Sequence, residues 1–521
     1  MKFIADKKSS YMPGIAGKLK QFFMFRHTEE RISCFVILSI AVLTVFFILY
    51  RAEWILGDNY SFILTTAQGQ PAPLLNGANI GKGRFFPLAG LDFNLLLLIP
   101  GGTSVLAHYL FVAFSFITGY LFFSLFNKYF FAKADDDSIK NNDLYLTALS
   151  CILLIANGGF FTTFMNVIYS ERLIFLLFAL MMLSFLKGRN TGKTVWFALA
   201  AASAIYAAYL KETVPPALFA FSFFSLIFFR KGISKAEKTA HYLIIINFIA
   251  FMSMWLYFGY TGNGETYRSD KILPFWNLLY NVLWQHKIYL CILVATFCRC
   301  CAILFLKSKP MYLADPLLIT SAVFVCEYIV LKFNSDYYYF PAAVLGLPAL
   351  LYCVFSAWKK TENMRFNCIS LILRIASICM ILLSFAGEIP HASANINAAM
   401  LERTKVMPGL RMMAEKYAAG GKIYWFQPWN KDEKIFNLTE LYINFILDQE
   451  MEQHRGQNDS VLTVTETVPE LRENDIFLYM IINNDQFNAD SATLSGLKEH
   501  GFEFCQFQTG YMIFTKGKCG L

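Results

Sequence analysis

Long apolar runs separated by short polar segments make up the first three quarters of the chain. They lie at 34–50, 104–126, 144–163, 172–186, 195–210, 214–229, 242–260, 288–306, 313–331, 340–357 and 369–386. A helix needs about 20 mostly apolar residues to cross the hydrocarbon core of a bilayer. The pattern therefore predicts a polytopic α-helical membrane protein with about 11 transmembrane helices.

The pattern changes after residue 385, where polar residues alternate with short apolar stretches. Helices are predicted at 395–418, 438–453 and 492–500, and strands at 422–426, 461–464, 475–482, 502–506 and 511–515, the last two as a hairpin. We expect a cytoplasmic N-terminal segment at 1–31 and a transmembrane domain at 32–390 with a long first outer loop at 51–104. A small C-terminal α/β extracytoplasmic domain follows at 391–521.

Lysine and arginine are concentrated in alternate polar segments, beginning with the N-terminal one. The positive-inside rule then places the N-terminus in the cytoplasm, and an odd number of spans places the C-terminal domain outside. We expect a multi-pass membrane protein whose C-terminal domain is extracytoplasmic.

The composition supports this class. Of 521 residues, 56% are hydrophobic and 16% are charged, whereas soluble domains carry about a quarter of their residues as charged side chains. This excludes a soluble multidomain enzyme, a disordered chain and a disulfide scaffold. The net charge of +8 follows the membrane pattern and forms no continuous basic face for a nucleic acid.

Cysteine usage gives little evidence for a metal. Most of the 12 cysteines lie in or beside apolar runs and lack metal-ligand spacing, so they are interpreted as packing residues. Cys505 and Cys519 lie in the C-terminal domain and are candidates for a disulfide outside the cytoplasm. The sequence indicates no certain cofactor. A divalent metal is possible, because carboxylates are present, but no ligand set is defined.

The first outer loop carries two candidate groups. Asp58 follows the first span, where a carboxylate beside aromatic residues can act as a general base toward a hydroxyl; the alternative is a helix N-cap. Arg84 lies between flanking glycines and aromatics later in the loop. It suits phosphate binding, or alternatively anchoring at the lipid headgroups.

Two further corners place charged residues beside apolar runs. Glu171 and Arg172 open one run, and Lys211 and Glu212 end another just before two prolines. Ionisable groups this close to the apolar zone usually face a cavity or a partner. The alternative is a set of ion pairs that only fix helix packing.

Possible substrate contacts lie in later outer loops: Arg268, His286, Tyr338 and Tyr339. The tyrosine run is also typical of an interfacial anchor, and His286 is also interpreted as a structural residue.

Several short motifs together resemble the GT-C class of membrane glycosyltransferases, which use polyprenyl-phosphate sugars. They are Gly57-Asp58-Asn59-Tyr60, Tyr169-Ser170-Glu171-Arg172, Leu210-Lys211-Glu212-Thr213 and Tyr338-Tyr339-Phe340-Pro341-Ala342. The Lys-Glu corner is similar to that of protein O-mannosyltransferase-like and aminoarabinose transferase-like families. Gly83-Arg84-Phe85 resembles a loop motif of O-antigen glucosyltransferases, which modify lipopolysaccharide. The chain departs from the protein-mannosylating pattern in having Asn59 instead of a second acid and Tyr337 instead of an arginine.

The resemblance implies an inverting glycosyltransferase with a GT-C-like fold at the outer face of a bacterial cytoplasmic (inner) membrane, with the C-terminal domain in the periplasm. Its partners are a polyprenyl-phosphate-linked sugar donor, membrane lipid and an acceptor hydroxyl of a cell-envelope glycan, lipid or protein, with no nucleic acid. Asp58 is then the catalytic base, and Arg84, Lys211 and Arg172 bind the donor phosphate. Glu171, Glu212 and Tyr60 orient these groups.

Two other functions fit the same pattern. A flippase or transporter for a lipid-linked glycan uses the same phosphate contacts without bond chemistry, although repeated halves, which are common in transporters, are not visible. A polysaccharide polymerase or ligase takes a lipid-linked oligosaccharide as donor; the large first loop and the Lys211-Glu212 corner argue mildly against it.

Overall fold

The structure is a computed structural model. It describes residues 28–53, 66, 69–71, 85–134, 137–261, 279, 286–331, 335–362, 368–426, 433–450, 461–465, 472, 474–480, 495, 497–499, 502–508 and 511–516.

Helices account for most of the described chain, and each predicted apolar run coincides with one of them or with a bent pair. In chain order they are α1 (Thr28–Leu49), α2 (Leu91–Leu97), α3 (Val105–Ala132), α4 (Asp137–Asn141), α5 (Asp143–Ala156), α6 (Gly158–Met165), α7 (Glu171–Thr191), α8 (Thr194–Ala208), α9 (Val214–Phe229), α10 (Lys235–Thr261), α11 (Lys287–Leu304), α12 (Ala314–Leu331), α13 (Asp336–Glu362), α14 (Cys368–Leu401), a π-helix (Glu402–Val406), α15 (Met407–Ala418) and α16 (Glu433–Glu450).

The structure does not confirm the predicted count of 11 membrane spans. Within the described residues, 7 helices are long and apolar enough to cross a membrane, or up to 8 if the bent pair α5–α6 is one span. Two predicted spans form the shorter apolar helices α8 and α9. A third, α7, carries charged residues at both ends. The three predicted runs outside this count are thus those whose helices are short or have charged ends.

The bend between α5 and α6 measures 68° and has a local cause. The side chain of Asn157 caps α6 by accepting a hydrogen bond from the Gly159 nitrogen at 3.1 Å. A Cβ atom at Gly159 would lie 2.3 Å from the carbonyl oxygen of Asp336. The two glycines after Asn157 therefore let the start of α13 approach the bend closely.

The C-terminal part forms a five-stranded sheet of order β2-β1-β3-β5-β4. Its strands are β1 (Ile423–Phe426), β2 (Leu462–Thr465), β3 (Ile476–Met480), β4 (Phe502–Gln508) and β5 (Tyr511–Lys516). β1 is parallel to β2 and β3, and β5 is antiparallel to β3 and β4. The mixed α/β character and the β4–β5 hairpin predicted from the sequence are thus present.

The connection to this sheet differs from the predicted boundary. α14 continues across residues 390 and 391 to Leu401, and Pro390 lies inside the helix. The π-helix and α15 then follow without a break. The division at 390/391 and the location of the sheet outside the cytoplasm stay predictions. Cys519 lies outside the described residues, so the Cys505–Cys519 disulfide also stays a prediction.

Phenylalanine rings fill the centre of the helical bundle. A connected set of edge-on and tilted ring contacts joins α3, α6, α7 and α13 through Phe116, Phe160, Phe164, Phe175 and Phe340. All five rings are buried. This packing fixes α3, α6, α7 and α13 against one another. The start of α7, the turn after α8 and the start of α13 meet at one end of the bundle.

Candidate active site

Lys211 and Glu171 form a buried ion pair at this end of the bundle. Glu171 is the first residue of α7, and Lys211 follows α8 in the turn that leads to the prolines at the start of α9. Only 9% of Lys211 and 1% of Glu171 is exposed. The two corners that the sequence predicts as charged therefore contact each other directly.

A layer of tyrosine rings lies against the Lys211 ammonium. Its Nζ atom is 3.9 Å from the centroid of the Tyr338 ring and 5.1 Å from that of Tyr337. Tyr169 stacks on Tyr337 with the centroids 4.0 Å apart. A cation over aromatic faces is held by the ring quadrupole. Tyr337 and Tyr338, at the start of α13, thus fix the position of the Lys211 ammonium.

Arg172 does not pair with the neighbouring Glu171 carboxylate. It forms a buried ion pair with Asp92 of α2, and its Nη1 donates to the carbonyl oxygen of Tyr169 at 2.7 Å. Sequence reasoning did not identify Asp92. Its signal is a lone acid between apolar residues, Leu91 and Phe93, in a loop that already holds other charged candidates.

The two residues that follow Lys211 along the chain lie in the wall of an apolar groove. It has a volume of about 520 Å³, and its wall includes Glu212, Thr213, Trp255, Ala322, Glu327 and Val330. The Thr213 hydroxyl is hydrogen-bonded to the Tyr328 hydroxyl at 2.6 Å. Oε2 of Glu327 and Nε1 of Trp255 are buried and have no hydrogen-bond partner among the described residues. The groove therefore combines an apolar wall with a few polar atoms near the charged corner.

His286 belongs to a separate buried network. Its Nε2 lies 3.1 Å from Asp336 and its Nδ1 lies 3.7 Å from Glu388. Glu388 in turn accepts hydrogen bonds from the Asn157 side chain at 3.1 Å and the Gly158 nitrogen at 3.0 Å. Burial lowers the pKa of His286, but the two carboxylates raise it more, to about 9. Glu388 was also missed from sequence; its signal is a lone acid in an apolar run.

The predicted substrate contacts His286 and Tyr339 are enclosed by protein. His286 is 2% exposed, and Tyr339 is fully buried against Tyr289 and Tyr328. Their roles as substrate contacts stay predictions, beside the structural and anchoring roles that the sequence also offers. Tyr338, at the Lys211 ammonium, is partly exposed.

The candidates Asp58, Tyr60, Arg84 and Arg268 lie outside the described residues, and their roles stay predictions. Residue 85, directly after Arg84 along the chain, is described. The Phe85 ring packs against Tyr209 at 6.4 Å between centroids, and the Leu88 nitrogen donates to the Tyr209 carbonyl oxygen at 3.1 Å. The end of the first loop is thus attached two residues before Lys211.

Over the part of the chain that the structure describes, no group of three or more histidine, cysteine, aspartate or glutamate side chains is arranged to hold a metal ion. Asp58 is not among these residues, so the divalent metal that the sequence leaves open stays untested.

No protein-family model matches the chain, and no curated protein matches it. Among solved structures, it is similar to ArnT from Cupriavidus metallidurans bound to undecaprenyl phosphate, with 12% identity, 92% of this chain and 97% of that chain covered and a TM-score of 0.46. The apo state of the same protein gives 12% identity, the same coverages and a TM-score of 0.41.

The Archaeoglobus fulgidus oligosaccharyltransferase tethered with an acceptor peptide containing the NVT sequon is also similar. Its identity is 11%, the match covers 92% of this chain and 74% of that chain, and the TM-score is 0.41. ArnT and the oligosaccharyltransferase are both GT-C glycosyltransferases, the class that the sequence motifs resemble. Similarity at this level assigns neither an activity nor a substrate.

Proposed function

We propose that this chain is an inverting glycosyltransferase that moves a sugar from a polyprenyl phosphate to an acceptor hydroxyl at the outer face of a bacterial cytoplasmic membrane. The acceptor is a hydroxyl of a cell-envelope glycan, lipid or protein. The observation that carries the proposal is the Lys211–Glu171 pair, because Lys211 directly precedes Glu212 and Thr213, two residues in the wall of the apolar groove.

In this proposal the Asp58 carboxylate takes the proton of the acceptor hydroxyl as the hydroxyl oxygen attacks C1 of the sugar. The bond between C1 and the phosphate oxygen breaks on the opposite face, and its electron pair stays on the polyprenyl phosphate. The attack inverts the anomeric centre. The chemistry thus needs a base on one side of the sugar and a cation on the other.

Lys211 is suited to receive the developing phosphate charge. An ammonium group has three N–H donors. Among the residues that the structure describes, the Glu171 carboxylate accepts from one of them, and we assign the other two to phosphate oxygens. Glu171 and Tyr338 fix its position, and its burial removes competing water. A preorganised donor in such a site is worth about 10²–10³-fold in rate.

Two further contacts support the assignment. The attachment of Phe85 to Tyr209 brings the loop that carries Arg84 to the Lys211 corner, which favours Arg84 as a second phosphate ligand. The groove offers an apolar wall for the first isoprene units beside Glu212 and Thr213. Arg172 is already paired with Asp92. We therefore give it the task of fixing α2 against α7, in place of the phosphate contact predicted from sequence.

The test uses the purified full chain in lipid nanodiscs. Binding of undecaprenyl phosphate is measured for the parent, Lys211→Met and the matched control Lys187→Met. Lys187 also lies beside aromatic rings, 5.1 Å from Tyr129 and 5.6 Å from Trp196, but near the other end of α7. We expect Lys211→Met to weaken binding at least about 10-fold, the loss of one charge-assisted contact, and Lys187→Met to leave it unchanged. Equal effects of both changes would contradict the proposal.

Transfer is then measured with a panel of undecaprenyl-phosphate sugars, following release of the free lipid phosphate and the labelled sugar. Asp58→Asn is expected to abolish transfer while retaining lipid phosphate binding. Retained transfer would exclude Asp58 as the base. Movement of labelled lipid across the bilayer by the parent, with no transfer under any condition, would instead support the flippase.

A further inference from the structure

Arg403 joins two helix ends at the start of the first outer loop. It lies in the π-helix between α14 and α15 and is 1% exposed. Its guanidinium donates to four carbonyl oxygens: those of Phe47 at 3.0 Å, Ile48 at 3.1 Å, Tyr50 at 3.0 Å and Met165 at 2.8 Å. The last carbonyls of a helix have no partner within the helix. One side chain thus satisfies the ends of both α1 and α6.

Arg411 binds Glu53, three residues after Tyr50. Its two terminal nitrogens donate to the two carboxylate oxygens of Glu53, both at 2.7 Å. Between the two attachments the backbone turns at Arg51, whose φ of 45° is in the left-handed region that side chains other than glycine rarely adopt. The turn that leaves α1 is therefore fixed on both sides by arginines from one continuous helical segment.

This segment belongs to the C-terminal part of the molecule. Arg411 is on α15, which packs against α16 and leads into β1. The first outer loop is thus attached to the C-terminal part through Arg411 and Glu53, as well as to α1 by the peptide chain. π-Helical turns inside helices occur frequently at functional sites, and this one places Arg403 toward the end of α1.

We propose that Arg411, supported by Arg403, is a positioning residue for the first outer loop. Glu53 precedes Asp58 by five residues, so the Arg411–Glu53 pair sets where the segment that carries the predicted base begins. This inference rests on the proposed function. Displacing a catalytic base by about 1 Å can lower the rate about 10²-fold. The start of the loop therefore needs a further attachment besides its peptide connection to α1.

The competing explanation is that the Arg411–Glu53 pair only stabilises the fold. Kinetic measurements separate this explanation from a positioning role. In a positioning role, Arg411→Gln and Glu53→Gln lower kcat about 10-fold or more, while the KM for the polyprenyl-phosphate sugar stays within about twofold. Arg411→Lys retains part of kcat, because one N–H···O contact remains. The charge exchange Glu53→Arg with Arg411→Glu restores most of it. Because Arg403 is buried and its variants can fail to fold, it is left unchanged.

The matched control is Arg299→Gln. Arg299 also forms a two-point pair with a carboxylate, donating to both oxygens of Asp315 at 2.8 Å, but this pair joins α11 to the start of α12. We expect the control to lower the melting temperature without a selective loss of kcat. The inference is overturned if the Arg411 and Glu53 variants keep the parent kcat, or if kcat falls only in proportion to folded protein and the charge exchange restores nothing.

Hydrogen exchange gives a readout that does not depend on transfer. Arg411→Gln is expected to raise exchange at residues 50–53, the turn that leaves α1, and to leave α7 and α13 unchanged. Unchanged exchange at 50–53 would contradict the positioning role. If the parent transfers no sugar from any donor, the proposed function fails, whereas the exchange experiment still decides whether Arg411 holds the loop. The two failures are therefore distinguishable.

Discussion

The ammonium of Lys211 and the ring of Tyr338 are 3.9 Å apart, although they come from different corners of the bundle. The contact joins the turn after α8 to the first turn of α13. Because Glu171 contacts the same ammonium, the lysine is held from two directions. The position of this cation thus depends on the packing of three helices.

Removing the ring should reduce activity more than stability. A cation–π contact is worth about 0.5–2 kcal/mol, so Tyr338→Leu is expected to lower kcat/KM for the polyprenyl-phosphate sugar about 10-fold. Tyr338→Phe keeps the aromatic face and should remain within about threefold of the parent. Steady-state transfer assays check this, and equal losses in the two variants would contradict a role for the ring face.

Glu171→Gln should destabilise the protein strongly, because it leaves the Lys211 ammonium buried without its carboxylate. Removing one partner of a buried ion pair typically costs about 3–5 kcal/mol. The double variant Glu171→Gln/Lys211→Met removes both charges and should recover most of the melting temperature. Thermal unfolding in detergent measures both. Additive losses in the double variant would show that the two charges do not interact.

The sequence predicts the helices well because apolar runs report burial or membrane contact directly. It leaves the number of spans open, because an apolar run such as 195–210 does not reveal that its helix, α8, ends at Ala208 and leads into the turn that carries Lys211. The 68° bend at Asn157 is also hidden in a continuous apolar run. Its cause is a side-chain cap and two glycines, which hydropathy averages out.

The candidate site also contains some features that local sequence patterns indicate and others that only tertiary packing produces. An ion pair among the charged residues of these corners is the alternative that the sequence leaves open, and the Lys211–Glu171 pair is of this kind. The partners Asp92 of Arg172 and Glu388 of His286 come from distant parts of the chain. Only the tertiary packing brings them together, and a single sequence does not encode such pairs in any local pattern. The roles of Asp58 and Arg84 stay predictions.

Blocking the groove should weaken binding of undecaprenyl phosphate. Ala322 of α12 lies in its wall and is 8% exposed, so Ala322→Trp fills the space beside Glu327. We expect at least about a 10-fold loss of binding, since several isoprene contacts worth about 0.8 kcal/mol per buried methylene are lost. Val294→Trp, at an exposed apolar position of α11, is the matched control and should bind normally. Equal binding by both variants would exclude this groove as the lipid site.

Stability should fall with rising pH through the titration of His286. Its pKa in the folded protein is about 9, above its ordinary value of 6.5, because Asp336 and Glu388 favour the protonated ring despite burial. Because this pKa is raised, protonated His286 stabilises the folded protein fully below about pH 6.5. This stabilisation is lost as the pH rises toward 9. The difference between the two pKa values corresponds to about 3 kcal/mol of folding free energy.

The parent should therefore melt at a lower temperature at pH 9.5 than at pH 6.5. His286→Gln should melt lower at pH 6.5 and vary less with pH. The same pH dependence in parent and variant would assign the titration to another group.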